Sequence, residues 1–242
     1  MTTHLRELLA LQSTRIIAVF TICLKLTLGL GILFTSKPGT SILIPITAGD
    51  DTTPFLIGIL SVVAITGYFS HGTIVLDILA NPNKLKIQLR RISAVSIVSV
   101  ASLILAYLIN WCIIEAIVVI GKLQLSFVPL QNMLFSLLNI LLLAITYSLI
   151  GSGLGFTIIS TAGTIFVYLG IMWGLPILAA LSGAINPLLI QHFLQYTPAS
   201  LTIWITSSQQ LHWYWGVIGL FIWSFAIQLL GIIRLRTYKP WR

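Results

Sequence analysis

The sequence predicts an all-α integral membrane protein with six transmembrane helices. Six mostly apolar stretches are each long enough to cross a bilayer, which takes about 20 residues, and 10 of the 13 Lys and Arg residues lie in three short segments that alternate with the other connections. Basic residues next to spans stay on the cytoplasmic side, so both termini and the connection 71–91 are expected to be cytoplasmic. The ten basic residues are Arg6, Arg15, Lys84, Lys86, Arg90, Arg91, Arg234, Arg236, Lys239 and Arg242.

The composition indicates one membrane domain over residues 1–242. Hydrophobic residues make up 57% of the chain and charged residues 7%, which leaves too few polar groups to coat a water-soluble globule. The net charge of +8 comes from residues that flank spans, as expected for contact with membrane lipids, and no nucleic-acid partner is expected. Cys23 and Cys112 fall in different spans at different depths, so no disulfide is expected.

The expected spans are 16–35, 54–70, 92–120, 130–150, 162–181 and 213–233. Residues 35–39 lack a small-x-small cleavage pattern, so the first span is expected to be a retained signal anchor. Ser36 to Asp51 is expected to be an outer loop, and Gly151 to Thr161 a tight inner connection. Trp213-Tyr214-Trp215 is expected to form an aromatic belt at the outer interface.

Three shorter helical features are expected outside the spans. Leucines among charged residues before the first span predict an amphipathic N-terminal helix on the cytoplasmic membrane surface. In the cytoplasmic connection, Thr73 can cap a short helix that Asn81-Pro82-Asn83 would stop. Ser182 to His212 is too polar to span yet too apolar for a free loop, so short re-entrant helices in the outer leaflet are expected before span six. The N-terminal helix rests on Leu5, Arg6, Glu7, Leu8, Leu9, Leu11 and Arg15.

Lys25 is the charged residue that most needs a reason. It lies about 15 Å along the first span from Arg15, near the middle of the membrane, where an unpaired ion costs at least a few kcal/mol. Either its side chain snorkels back to cytoplasmic water or it lines a polar cavity. Glu115 should reach the outer interface, so a Lys25–Glu115 ion pair is not expected.

The sequence contains no recognisable catalytic centre. No phosphate-binding loop is present, and Gly151, Gly153 and Gly155 miss the dinucleotide-binding spacing and instead predict close helix packing. The five carboxylates and four histidines are scattered, so no metal site or acid–base cluster is expected. The chain is not expected to be an enzyme, and energy for uphill transport would come from a partner or an ion gradient.

The order of features resembles ABC-2 type transporter permeases, especially the short six-span bacterial kind. The most specific match is 65–74 (Ile-Thr-Gly-Tyr-Phe-Ser-His-Gly-Thr-Ile) followed by 79–84 (Leu-Ala-Asn-Pro-Asn-Lys). Further matches are 148–155 before span five, Tyr196-Thr197-Pro198 and the basic tail. Tyr68 and Ser70 stand where the family commonly has an acidic residue and an arginine.

The resemblance implies a permease subunit that pairs with a second copy of itself or a relative and docks two separate ATP-binding subunits. ATP and Mg would bind to those partners, and this chain would bind no cofactor. The family places the translocation path along spans one, two and five, which makes Lys25, Thr66 and Tyr68 candidate path residues. The residues that would couple the chain to the ATPase are His71, Gly72, Thr73, Leu76, Asp77, Leu79 and Pro82.

Two other classes remain open. An ion-coupled secondary transporter is disfavoured because carboxylates, the usual proton relays, are nearly absent from the spans. A membrane enzyme or assembly protein is disfavoured by the missing catalytic cluster. The expected location is the bacterial plasma membrane. The apolar and aromatic spans suggest an amphipathic or hydrophobic substrate, such as a drug, an antimicrobial peptide or a lipid-like compound, and family analogy suggests export.

Overall fold

The described part of the chain is helical and contains six helices long and apolar enough to cross a membrane, which confirms that part of the prediction. The computed structural model describes residues 8, 11–80, 83–123, 125–126, 128–183, 194–206 and 210–238. A π-helical segment, Gly170–Gly174, joins α7 to α8, and a 3-10 turn, Leu194–Tyr196, precedes α9. The α-helices are α1 Gln12–Thr35, α2 Leu43–Thr47, α3 Thr53–Ser70, α4 Thr73–Ala80, α5 Lys84–Ile120, α6 Leu130–Ile158, α7 Thr161–Leu169, α8 Leu175–Gly183, α9 Pro198–Thr206 and α10 Gln210–Thr237.

Hydrogen bonds identify the two ends of the bundle. At one end, Lys84 Nζ donates to the carbonyl oxygens of Arg236 (3.1 Å) and Tyr238 (2.8 Å), so the start of α5 and the end of α10 lie together. At the other end, Ser126 and the Thr40–Ile42 segment exchange backbone hydrogen bonds of 3.0 and 3.2 Å. We call these the basic end and the far end. Their separation matches the alternation of charge on which the predicted topology rests.

Helix α3 lies at the centre. Most of it is buried, whereas less than half of each other span is, and it packs against α1, α5, α6 and α7. Ser61 on α3 lies within hydrogen-bonding distance of Ser99 on α5 (3.2 Å) and of Ser148 on α6 (3.0 Å). We call these three residues the serine cluster. The hydroxyl contacts of this cluster join three largely apolar helices to one another.

The predicted inner connection from Gly151 to Thr161 is wrong, because α6 continues to Ile158. Only Ile159 and Ser160 separate α6 from α7. The predicted close packing of the glycines is confirmed: a Cβ added at Gly151 would lie 2.3 Å from the carbonyl oxygen of Gly58. Gly151 therefore allows α3 and α6 to approach closely, and α6 continues through Gly151 without a break.

The predicted outer loop from Ser36 to Asp51 is also wrong in part. It contains helix α2, and Ile42, Ile46 and Asp50 within it are buried. Helix α2 packs against α1 and α5, because its apolar side chains find a hydrophobic cluster there that includes Leu33 and Tyr107. This inward fold brings an acidic residue beside the first span.

The structure describes one short helix, α9, in the segment for which re-entrant helices are predicted, and their position in the outer leaflet stays a prediction. Helix α9 packs against α10 and α6 and buries Leu201, Thr202 and Ile205. Residues 184–193 and 207–209 of the predicted outer segment lie outside the described residues. The same holds for most of the predicted N-terminal amphipathic helix, since only Leu8 and residues from Leu11 onward are described. Leu8 is fully buried in a cluster with Leu60 and Ile65.

Candidate functional site

Lys25 forms a buried ion pair with Asp50. The Lys25 side chain is 1% exposed, and its Nζ contacts Asp50 Oδ1. Asp50 lies between α2 and α3 at the far end, so the ammonium group does not extend to the basic end. The snorkelling interpretation is therefore wrong, and the predicted absence of a Lys25–Glu115 pair agrees with an ammonium that is paired elsewhere.

Side chains from two further helices support the pair. The Tyr107 ring on α5 lies 5.5 Å from Lys25 Nζ, and Ser136 on α6 donates a hydrogen bond of 3.4 Å to Asp50 Oδ2. Burial raises the pKa of Asp50 to about 7, although the Lys25 charge acts in the opposite direction. Removing one partner of such a pair typically costs about 3–5 kcal/mol, because the other charge stays buried. The pair thus ties α1 to the connection before α3.

Asp50 also lines a cleft of about 550 Å³ at the far end. A second cleft of about 240 Å³ lies next to it, because both are lined by Asp51 and Ile203. We call these the large and the small cleft. Other residues of the large cleft are Leu43, Thr47, Asn132, Phe135, Ser136, Asn139, Ile140 and Thr206. Other residues of the small cleft are Thr52, Phe55, Tyr147, Met172, Trp173, Ala199 and Thr202.

The cleft linings combine carboxylate and aromatic groups. Their described residues include Asp50 and Asp51 but no lysine, arginine or histidine. Trp173 is 57% exposed and stacks on Phe55 with ring centroids 5.2 Å apart. Within the described ranges no three His, Cys, Asp or Glu side chains come together as a metal centre would need. The arrangement can attract a cation and contact an apolar group.

The short helix predicted after the second span is present at the basic end as α4. His71 is exposed, and Gly72 has a φ of 68°, a left-handed conformation that glycine adopts without strain. Thr73 begins the helix, but its hydroxyl donates to the Tyr68 carbonyl oxygen at 3.0 Å and so holds α4 against α3. Leu76 and Leu79 are each 67% exposed. Pro82 lies outside the described residues.

The Asp77 carboxylate has a hydrogen-bond partner within the protein. It accepts a hydrogen bond of 2.5 Å from the Tyr68 hydroxyl. The Arg91 guanidinium lies 4.6 Å from the Tyr68 ring, so the tyrosine joins α3, α4 and α5. No spacing pattern in the sequence predicts this contact between the ends of three helices.

The candidate path residues do not come together. Thr66 is fully buried and accepts a hydrogen bond of 2.8 Å from Thr161 on α7. Tyr68 is 1% exposed, and neither residue lines the large or the small cleft. Lys25 is not among the lining residues of the large cleft, but it contacts Asp50, which is.

The fold and these features define a multi-pass integral membrane protein with six membrane-spanning helices. No protein-family model matches the chain, and no curated protein matches it significantly.

Proposed function

We propose that the chain is the transmembrane permease subunit of an ATP-binding cassette transporter of the ABC-2 type, in the bacterial plasma membrane with both termini cytoplasmic. It moves, by export, an amphipathic or hydrophobic substrate such as a drug, an antimicrobial peptide or a lipid-like compound. Two separate ATP-binding subunits supply the energy, with ATP and Mg bound to them, and a second permease copy or a relative completes the pathway. The observation that carries the proposal is the exposed apolar face of α4.

Helix α4 has the properties of a docking element. Ile74 is fully buried against the bundle, whereas Leu76 and Leu79 point away from it and are largely exposed. Eight residues make a helix about 12 Å long, too short to be stable alone in water. Two apolar side chains on a short helix outside the spans are best explained by a partner that covers them.

The contacts of α4 also support transmission of force. The Tyr68 hydroxyl bonds to Asp77, and the Thr73 hydroxyl bonds to the Tyr68 backbone. A displacement of α4 by an ATPase subunit therefore acts directly on the end of α3. Because α3 is the central helix, its movement changes its packing against α1, α5 and α6 together.

The test uses the chain purified with a tag from native membranes. We expect a polypeptide that a photoreactive ATP analogue labels to co-purify with it. The double variant Leu76→Asp and Leu79→Asp should lose this polypeptide and ATP-driven transport while still inserting. Leu76→Met with Leu79→Met, which keeps the face apolar, should retain both. If no ATP-binding polypeptide co-purifies, or if the Asp variant keeps it, the proposal is wrong.

The orientation is tested separately. Single cysteines at Ser41 and Asn83 are introduced after Cys23 and Cys112, which are exposed, have been replaced. In intact cells an impermeant thiol reagent should label position 41 but not position 83. The reverse pattern would contradict the cytoplasmic placement of α4.

The Lys25–Asp50 pair favours a second candidate, an ion-coupled secondary transporter. Burial raises the pKa of Asp50 to about 7, and the same residue lines the large cleft, so it can exchange a proton near neutral pH. In proteoliposomes without any ATPase subunit, a pH gradient alone would then drive transport, and Asp50→Asn would abolish it. The ABC assignment predicts no transport under these conditions.

A further inference from the structure

We propose that the large and small clefts together bind a hydrophobic organic cation, whose charge meets the Asp51 carboxylate and whose apolar body contacts Trp173 and Phe55. This names the substrate class within the proposed function. It rests on that function only for the claim that the bound cation is transported, since binding is a property of this chain alone.

Asp51 is the carboxylate placed to meet a ligand. Asp51 lines both clefts, so a bound molecule can contact its carboxylate from the large cleft, from the small cleft or from both. The neighbouring Asp50 is already paired with Lys25. Asp51 is exposed, and its carboxylate accepts a hydrogen bond of 3.2 Å from the side chain of its neighbour Thr52. No basic residue among the described lining residues competes with a cationic ligand.

The small cleft supplies an aromatic wall. Phe55 stacks between Trp173, with centroids 5.2 Å apart, and Tyr168, with centroids 5.3 Å apart. This stack holds the exposed Trp173 ring in place before any ligand arrives. Cations bind favourably over aromatic faces, and most strongly over tryptophan, so the wall and the carboxylate favour the same ligand charge.

The backbone that carries Trp173 is also unusual. Trp173 lies within the π-helical segment, and Pro176 follows three residues later. Proline has no N–H to donate and its ring crowds the carbonyl four residues before it, which disrupts the regular α-helical pattern here. Short π-helical segments are frequent at functional sites. In this protein the segment positions the aromatic ring beside Asp51.

The size of the clefts fits a drug-sized molecule. Pockets that bind such ligands measure about 300–1,000 Å³, and the two volumes of about 550 and 240 Å³ fall in or near that range. Phe135, 43% exposed, provides an apolar surface in the large cleft. A bulky cation with aromatic or aliphatic groups fits this combination, whereas an anion of the same shape would be repelled.

The experiment measures binding to the purified chain in nanodiscs without any ATPase subunit. The probe is tetraphenylphosphonium, and tetraphenylborate is the anion of nearly the same shape. We expect saturable binding of the cation only. Asp51→Asn should weaken it about tenfold, a change that corresponds to about 1.4 kcal/mol, and Trp173→Leu should weaken it severalfold. Asp51→Glu should keep most of the affinity.

Glu115→Gln is the matched control, because Glu115 is another exposed acid toward the far end of α5 that lines neither cleft. It should leave the affinity unchanged, and comparison of the two charge variants cancels nonspecific partition into lipid. Because Asp51 is exposed, Asp51→Asn should unfold at the wild-type temperature, whereas Trp173→Leu loses the stack on Phe55 and should unfold slightly below it. Equal effects of Asp51→Asn and Glu115→Gln, or saturable binding of the borate anion, would overturn the proposal.

Failure here is distinguishable from failure of the ABC assignment. If the cation binds but no ATPase subunit docks on α4, the proposed cation site is correct and the ABC assignment is wrong. If the ATPase subunit docks but the cation does not bind through Asp51, the ABC assignment is correct and the proposed substrate class is wrong.

Discussion

Replacing Gly29 with alanine should destabilise the protein by about 1–3 kcal/mol. A Cβ at Gly29 would lie 2.3 Å from Asn110 Oδ1, well inside the 3.5–4.0 Å of ordinary contact. Overpacking of this kind costs about 1–3 kcal/mol. Asn110 also donates a hydrogen bond of 3.1 Å to the Ile46 carbonyl oxygen, worth about 1 kcal/mol, which its displacement would break. The higher helix propensity of alanine returns up to about 1 kcal/mol.

Gly31→Ala, on the same helix, is the control. Nothing lies within 4 Å of a Cβ at Gly31, so this change should stabilise the helix by up to about 1 kcal/mol. The measurement is the free energy of unfolding by sodium dodecyl sulfate in mixed micelles. Adding Asn110→Ala should make the Gly29 substitution nearly harmless relative to Asn110→Ala alone. Equal effects of the two glycine substitutions would refute the reasoning.

Three further results are expected in the same unfolding assay. Gly151→Ala should cost about 3 kcal/mol or more, because its Cβ would meet the backbone oxygen of Gly58 at 2.3 Å and a backbone cannot rotate away; a smaller loss than for Gly29→Ala would contradict the packing. Asp50→Asn should cost about 3–5 kcal/mol, because it leaves the Lys25 ammonium group buried without its partner, and adding Lys25→Met should recover most of that loss. Lys25→Met alone should cost less, since Asp50 can then take up a proton and leave no charge buried. Because burial raises the pKa of Asp50 to about 7 from 3.8, the folded state binds its proton more tightly than the unfolded state. The resulting stabilisation is complete below about pH 4 and is lost as the pH rises through about 7, and Asp50→Asn should flatten that profile.

The six spans could be predicted from the sequence because each is a continuous apolar stretch, and length and hydropathy suffice to recognise it. The end of α6 could not, because glycine in a sequence is compatible with either a break or a close helix contact. What decides between them at Gly151 is the opposing Gly58, which lies on another helix far away in the chain.

The ion pair of Lys25 could not be located from spacing along a helix. Its partner reaches it only because α2 folds the intervening segment inward. The presence of a lysine within a span, with Asp50 and Asp51 in the very next connection, was the available signal. The segment that carries Asp50 was expected to be an outer loop, so no contact between it and the side chain of Lys25 was expected.

A short helix that begins at Thr73 was predicted correctly, whereas its attachment to the bundle was not, and its role in coupling stays a proposal. Local signals set where α4 begins, but the bond between Asp77 and Tyr68 depends on the angle at which the chain turns at Gly72. Beyond this turn, Ile74 is fully buried against the bundle.

The central position of α3 has a consequence for how the protein is made. Helix α3 leaves the ribosome well before α5 and α6, so its polar side chains meet the lipid before the helices that will cover them exist. Ser61 and Thr66 each donate a hydrogen bond of 2.9 Å to a carbonyl oxygen one turn earlier in α3 itself. Such bonds satisfy the hydroxyl hydrogens within the helix itself, which favours insertion of the nascent helix α3 into the bilayer before the later helices are made. The oxygen atoms remain available as acceptors, and later helices can dock on them in the order of synthesis.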